Sequence, residues 1–207
     1  MRRIPAVELS ATFAVSTAAV WASSTWLEPP LVIPVIRIAS VLFGAAAATC
    51  LEDPNAEVLD TAPFGRFRRR SVTVGVTAVS TLALWSIVVV GVAITTRDAS
   101  GGGIPIGGLA IELVGICLFG WLVAAALLRW VGSRGTGARA AAAVVVGSLL
   151  TLGHPSSIEW LWAPPGPTWR ATHEHWAMVA VVSATGLIAL SCDPSRRERP
   201  GSRRFFR

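Results

Sequence analysis

The sequence predicts an all-α integral membrane protein with six transmembrane helices, and three observations carry that prediction. Only 14% of the 207 residues are charged and 53% are hydrophobic, whereas soluble domains carry about 25% charged residues. Apolar runs recur along the chain at lengths near the roughly 20 residues that a helix needs to cross hydrocarbon. Every basic residue is an arginine, and the arginines gather in the short segments between those runs. The net charge of +6 therefore reads as membrane topology, not as nucleic-acid binding.

The first span covers residues 7–27 and stops at Pro29 and Pro30, because successive prolines cannot continue a helix. The opening MRRIPAVELS has the charge of a signal peptide. Glu8 interrupts its apolar stretch and no clear small-residue cleavage site follows, so it is expected to stay as the first helix. The second span covers 31–51 and the third 71–94, followed by the polar, glycine-rich TTRDASGGGIPIGG. The fourth covers 107–129. The fifth, 140–152, has only 13 residues, about 20 Å at the helical rise, which is short for a crossing. The sixth covers 176–192 and leads into a basic tail, 193–207. Between the last two spans lies GHPSSIEWLWAPPGPTWRATHEHW, with four tryptophans and three prolines in its centre. Tryptophan favours the membrane interface, and broken backbone enters a bilayer only where protein shelters it. Glu159, Trp160, Trp162 and Trp169 are accordingly expected in an interfacial or re-entrant outer element.

Orientation follows from the arginines. With the N-terminus inside, fifteen of the 18 lie on the cytoplasmic side, only Arg97 and Arg170 lie outside, and Arg37 falls within a span. The positive-inside rule then places both termini in the cytoplasm of a cell (cytoplasmic) membrane protein.

The segment LEDPNAEVLDTAPFGRFRRR, residues 51–70, faces the cytoplasm in that arrangement. Asp53 suits an N-cap and Pro54 a first helical position. Pro63 biases Ala62 away from helical geometry, leaving about two turns over 54–61. Asn55, Val58, Leu59 and Ala62 share one face by spacing, while Glu57 and Asp60 point elsewhere. Arg66, Arg68, Arg69 and Arg70 then anchor the third span at anionic headgroups. A capped acidic helix is thus presented to the cytoplasm by Glu52, Asp53, Pro54, Asn55, Glu57, Val58, Leu59 and Asp60.

Six spans, this capped helix between the second and third, and a broken aromatic element before the last together resemble the permease subunits of type-2 ATP-binding-cassette exporters. The Glu52-Asp53-Pro54 exit from the second span also looks like that of some small bacterial permeases of this type. The resemblance implies that Glu52 to Phe64 couples the chain to a separate cytoplasmic ATPase subunit, which holds ATP-Mg. It implies a re-entrant contribution from Ser156 to Trp169. The small size of the chain implies a second permease subunit, identical or not. The permease would catalyse no bond chemistry and hold no cofactor of its own. Consistent with that, a chain without lysine has no GxxxxGK[ST] phosphate loop.

Two ionisable residues fall inside spans, Arg37 and Glu112. Counted from the outer ends of their spans they lie about 9 and 7.5 Å deep. Opposite charges at matched depth are expected to pair, as an interhelical clasp or along a substrate pathway. His154, Glu159, His173, Glu174 and His175 gather on the outer side. A membrane-embedded enzyme could use them, but His173 and His175 diverge on a helix, and neither HExxH nor GxSxG occurs. No catalytic residue and no metal site is assigned. A third function class remains open, a membrane anchor or assembly factor that recruits a cytoplasmic partner through the acidic loop. Cys50, Cys117 and Cys192 lie in or beside apolar runs and read as packing residues. The small-residue runs GAAAA and ARAAAA read as close helix–helix surfaces.

Overall fold

The structure, a computed structural model, describes residues 11–15, 17–19, 22, 32–51, 66–100, 105–131, 135–153, 161 and 166–191. Among these residues every regular element is a helix. The five complete ones are α1 (Val32–Thr49), α2 (Arg66–Ser100), α3 (Ile106–Trp130), α4 (Thr136–Gly153) and α5 (Trp169–Ser191). Residues 11–15, 17–19 and 22, within the first expected span, are helical too. Among the described residues three segments are long and apolar enough to cross a membrane: Val32–Thr49, Ser71–Ile94 and Ile106–Trp130.

Several boundaries differ from the sequence expectation, among them the start of α2 at Arg66 instead of 71, and three others have a local reason. The helix α2 runs on through Thr95 to Ser100, because Thr-Thr-Arg-Asp-Ala-Ser contains no breaker before Gly101. At α4 the helix starts at Thr136, four residues before the expected span, and has 18 residues, about 27 Å of length. Gly135, at φ 67°, makes the preceding turn in the left-handed region open to glycine, and its carbonyl accepts from the Arg139 N–H at 3.1 Å. For α5 the start is Trp169, seven residues earlier than expected. Gly166-Pro167-Thr168 forms the turn, with the Trp169 N–H donating to Gly166 O at 3.1 Å and the Thr172 N–H to Thr168 O at 3.0 Å. Trp169 is therefore the first residue of a helix, and residues 169–175 are helical instead of belonging to an outer loop.

The core lies where α1 meets α3. Ile36, Phe43 and Ala47 from α1 pack with Leu109, Leu113 and Trp121 from α3, joined by Trp85 and Val89 of α2 and by Ala140 of α4. A second cluster sets Val41 and Ala45 of α1 and Ile116 of α3 against Val144 of α4 and Trp176 of α5. Contacts along the helices fix their directions. Arg37 meets Glu112, Gly44 meets Ile116, and the Trp121 indole reaches Ala47 O, so α1 and α3 run parallel. Gly108 meets His173, Gly115 meets Trp176, and Gly186 meets Leu122, so α3 and α5 run parallel as well. Parallel α1, α3 and α5 are what a chain threading back and forth produces when α2 and α4 make the return passes.

Small residues allow the close approach. A Cβ at Gly44 would collide with Ile116 Cγ2, and one at Gly120 would lie 3.1 Å from Val144 Cγ2 and 3.2 Å from Ala48 Cβ. The Ile116 side chain cannot swing away, because a β-branched residue in a helix is held near one χ1 rotamer. Tryptophan indoles then lock the helices by hydrogen bonds. Trp85 Nε1–H donates to Ser40 Oγ at 2.9 Å, and Ser40 Oγ–H donates on to Ile36 O at 3.0 Å. Trp121 Nε1–H donates to Ala47 O at 2.9 Å. In an apolar surrounding an unsatisfied indole N–H is costly, so these bonds constrain the helices more than their number suggests.

The opposite faces are apolar and outward. Val72, Val76, Val79, Ile87, Val90 and Ile94 of α2 are all exposed, as are Val181, Val182 and Ile188 of α5. Such a surface suits hydrocarbon and would be a liability in water. Gly44→Val is expected to destabilise the bundle by about 1–3 kcal/mol through overpacking, while Gly91→Ala, whose added Cβ meets nothing within 4 Å, leaves it unchanged. Thermal unfolding midpoints of the two variants in detergent, compared with the parent chain, check this.

Candidate functional site

The α1 sequence VIPVIRIASVLF places Pro34 in the first turn, where the missing N–H is tolerated. Three residues later the helix turns Arg37 inward beside Ile36 and Ser40. On α3, Glu112 shares its face with Leu109, Leu113 and Ile116, at helical spacing. The two charges meet between the helices. Arg37 Nε donates to both carboxylate oxygens, at 3.2 Å to Oε1 and 2.9 Å to Oε2, and Arg37 Nη2 donates to Oε1 at 2.7 Å. Only 8% of the Arg37 side chain and none of the Glu112 side chain is exposed, so this is a desolvated pair whose charge-assisted bonds are not screened. The structure thus brings together the two intramembrane charges that the sequence singles out.

A third helix completes the cluster. Trp169 lies with its ring centroid 5.3 Å from Arg37 Cζ, within cation–π range. One turn on, His173 stacks obliquely on Trp169, ring centroids 4.3 Å apart and planes inclined by 46°. His173 Nδ1 lies 2.6 Å from Trp169 O. A carbonyl can only accept, so Nδ1 carries the hydrogen. The other ring nitrogen, Nε2, lies 3.2 Å from Glu112 Oε1 and has no hydrogen bond. Gly108 makes room for it, since a Cβ there would collide with the imidazole. Four side chains from three helices therefore converge: Arg37, Glu112, Trp169 and His173.

Below this cluster Trp176 fits a notch at Gly115, where an added Cβ would come within 2.8 Å of Cε3. Its indole N–H donates to Leu161 O at 2.7 Å. That bond ties Leu161 to the bundle.

The other expected site residues fare differently. Glu174 and Arg170 form an exposed i,i+4 pair at 3.2 Å, a type worth little in solvent. His173 is buried and Glu174 exposed, so these polar residues part to different faces of α5. The described residues contain no group of three His, Cys, Asp or Glu side chains arranged to hold a metal ion. Glu52, Asp53, Pro54, Asn55, Glu57, Val58, Leu59 and Asp60 of the coupling segment lie outside the described residues, as do His154, Glu159, Trp160 and Trp162. Sequence reasoning missed His173 as a partner of the ion pair. The available signal was its spacing of four from Trp169, which puts both on one helical face once the helix is allowed to start at Trp169.

Removing one member strands the other as a buried charge. Arg37→Leu and Glu112→Leu are each expected to destabilise the protein by about 3–5 kcal/mol, and the double variant to recover most of that loss. A double-mutant cycle on thermal unfolding in detergent measures it. No protein-family model, curated protein or solved structure matches this chain.

Proposed function

We propose that the chain is the membrane-spanning permease subunit of a bacterial ATP-driven exporter. It has six spans and cytoplasmic termini, lies in the cell membrane, and pairs with a second permease subunit. ATP-Mg binds to a separate cytoplasmic ATPase, and the chain itself performs no bond chemistry. The observation that carries the proposal is the contrast between the two helices flanking the acidic segment. On its N-terminal side α1 is buried along most of its length and clasped to α3 through Arg37 and Glu112. On its C-terminal side α2 packs on α1 through one face, around Trp85 and Val89, and leaves the rest outward.

A segment joining a fixed helix to a loosely seated one suits mechanical coupling. Closure of an ATPase dimer against residues 54–61 would move α2 relative to the α1–α3–α5 unit, as rigid bodies repacking at an interface. By the sequence expectation, anchoring of Arg66, Arg68, Arg69 and Arg70 at anionic headgroups would hold that end of α2 while it moves. The exposed apolar face of α2 supports a place for lipid or the second permease subunit.

The test is co-purification. The tagged protein, solubilised gently from its native membrane, is expected to bring down a stoichiometric P-loop ATPase, and Asp53→Arg/Glu57→Arg to lose it. A preparation that holds its fold and carries no ATPase would sink the exporter reading. An ATPase-free cytoplasmic partner lost in the same variant would favour the anchor instead.

A further inference from the structure

We infer that two copies of the chain pair in the membrane through the outward face of α2, along a seam made by Val72, Val76, Val79, Ala83, Ser86 and Val90. The inference rests on the reading of the chain as a subunit that works with a second one, and adds that the second is another copy held at this face.

The spacing along α2 leads there. Successive members of the seam are four, three, four, three and four residues apart, which is the repeat of a left-handed coiled coil. At 3.6 residues per turn they stay within about 40° of one line along the helix. All of them are exposed, Val79 to 69%. On the opposite side of the helix Thr77, Thr81, Trp85, Val88 and Val92 are buried against the bundle. From Val72 to Val90 the seam is about 27 Å long at the helical rise, close to the roughly 30 Å of a hydrocarbon core.

Residue type separates this face from a surface that only meets lipid. The outward faces of α3, α4 and α5 carry longer side chains, among them Phe119, Leu149, Leu150, Met178 and Ile188. Every member of the α2 seam is valine, alanine or serine. Short side chains let two backbones approach, and close packing is what associates helices where lipid is as apolar as leucine. A valine in a helix keeps nearly one χ1 rotamer, so packing it costs little side-chain entropy. Gly75 borders the seam and is exposed, and a Cβ there would meet nothing within 4 Å. Gly44, Gly115 and Gly120, by contrast, each face a side chain of another helix that a Cβ would crowd. A glycine inside a helix costs stability, and at Gly75 no neighbour in the chain accounts for it.

Matching depth selects a second copy as the occupant. Two copies inserted with one orientation and related by a two-fold axis along the membrane normal set α2 parallel to α2, with each seam residue opposite its own counterpart. The valines and Ala83 then interlock at a crossing near +20°. Ser86 meets a second hydroxyl at the same depth and exchanges a hydrogen bond with it, which no acyl chain offers. Leu82 and Ile87, both exposed, flank the seam and close its rims. By the sequence expectation, the arginines at 66, 68, 69 and 70 of both copies end at one headgroup layer, whose anionic lipids offset their repulsion.

The experiment co-expresses two copies of the full chain with different tags, solubilises them gently, captures one tag and measures the other. Capture of the second tag is expected for the parent chain. Ala83→Phe should lower it at least about fivefold, because a bulky ring forces the backbones apart. Met178→Phe on α5 should leave it unchanged, and both variants should keep the parent's thermal unfolding midpoint, since the added atoms lie outside the bundle. Oxidative crosslinking in membranes gives a second reading. Cysteines placed singly at 76, 79, 83, 86 and 90 should yield covalent dimers above the parent's background, and Met178→Cys and Val182→Cys should not. No capture of the second tag, as for a face covered by lipid alone, would overturn the inference, as would crosslinks as strong from α5 as from α2. A second copy captured in a preparation without an ATPase supports the inference while sinking the exporter. An ATPase captured without a second copy does the reverse.

Discussion

A guanidinium and a carboxylate locked together by three short hydrogen bonds, out of reach of water, set the register between α1 and α3. Apolar packing alone fixes helix positions loosely in lipid, because hydrocarbon tails are as apolar as the side chains they replace. A buried charge tolerates no such slippage, since a shift of one turn would leave both groups unpaired. Once Arg37 meets Glu112, the glycine and alanine contacts lower down fall into line. Gly44 receives Ile116, and Ala47 O receives the Trp121 indole. Seating of α5 depends on the same pair, because His173 and Trp169 pack on its two charged ends.

Tryptophan does a second kind of work in this bundle. Aromatic residues in a membrane protein are ordinarily assigned to the headgroup boundary. Here Trp85 and Trp121 are buried and use their single N–H groups as pins between helices. The Trp85 pin runs through Ser40 to the Ile36 carbonyl, so one hydroxyl serves both as acceptor for α2 and as donor to its own helix. Substituting Ser40 would leave an indole N–H stranded in an apolar surrounding.

How much of this was legible in the sequence depended on whether a residue's role was set by distance along the chain or by what lay across from it. Arg37 and Glu112 could be matched because each was counted in from a loop, and helical rise converts residues into depth. Span 71–94 coincides with the apolar stretch of α2 for the same reason. His173 and Trp169 were unreadable as partners of that pair. The prolines at 164, 165 and 167 made the whole stretch look irregular, whereas Pro167 precedes a helix that it does not interrupt. The indole pins were hidden too. Nothing in the local sequence of Trp85 announces a serine 45 positions earlier.

The spacing of the clasp also shapes how the protein is made. Arg37 and Glu112 are separated by 75 positions. At about 5–20 residues per second, the ribosome needs roughly 4–15 s to add the chain between them. Through that interval α1 has its arginine and not yet the carboxylate that will neutralise it, and an unpaired arginine at the centre of a span costs about 2.5–3.5 kcal/mol at insertion. Its place within two turns of the start of α1 lets the long side chain reach for the headgroups in the meantime. Arrival of α3 is then the event that draws the arginine inward, and α4 and α5 close over the clasp afterwards.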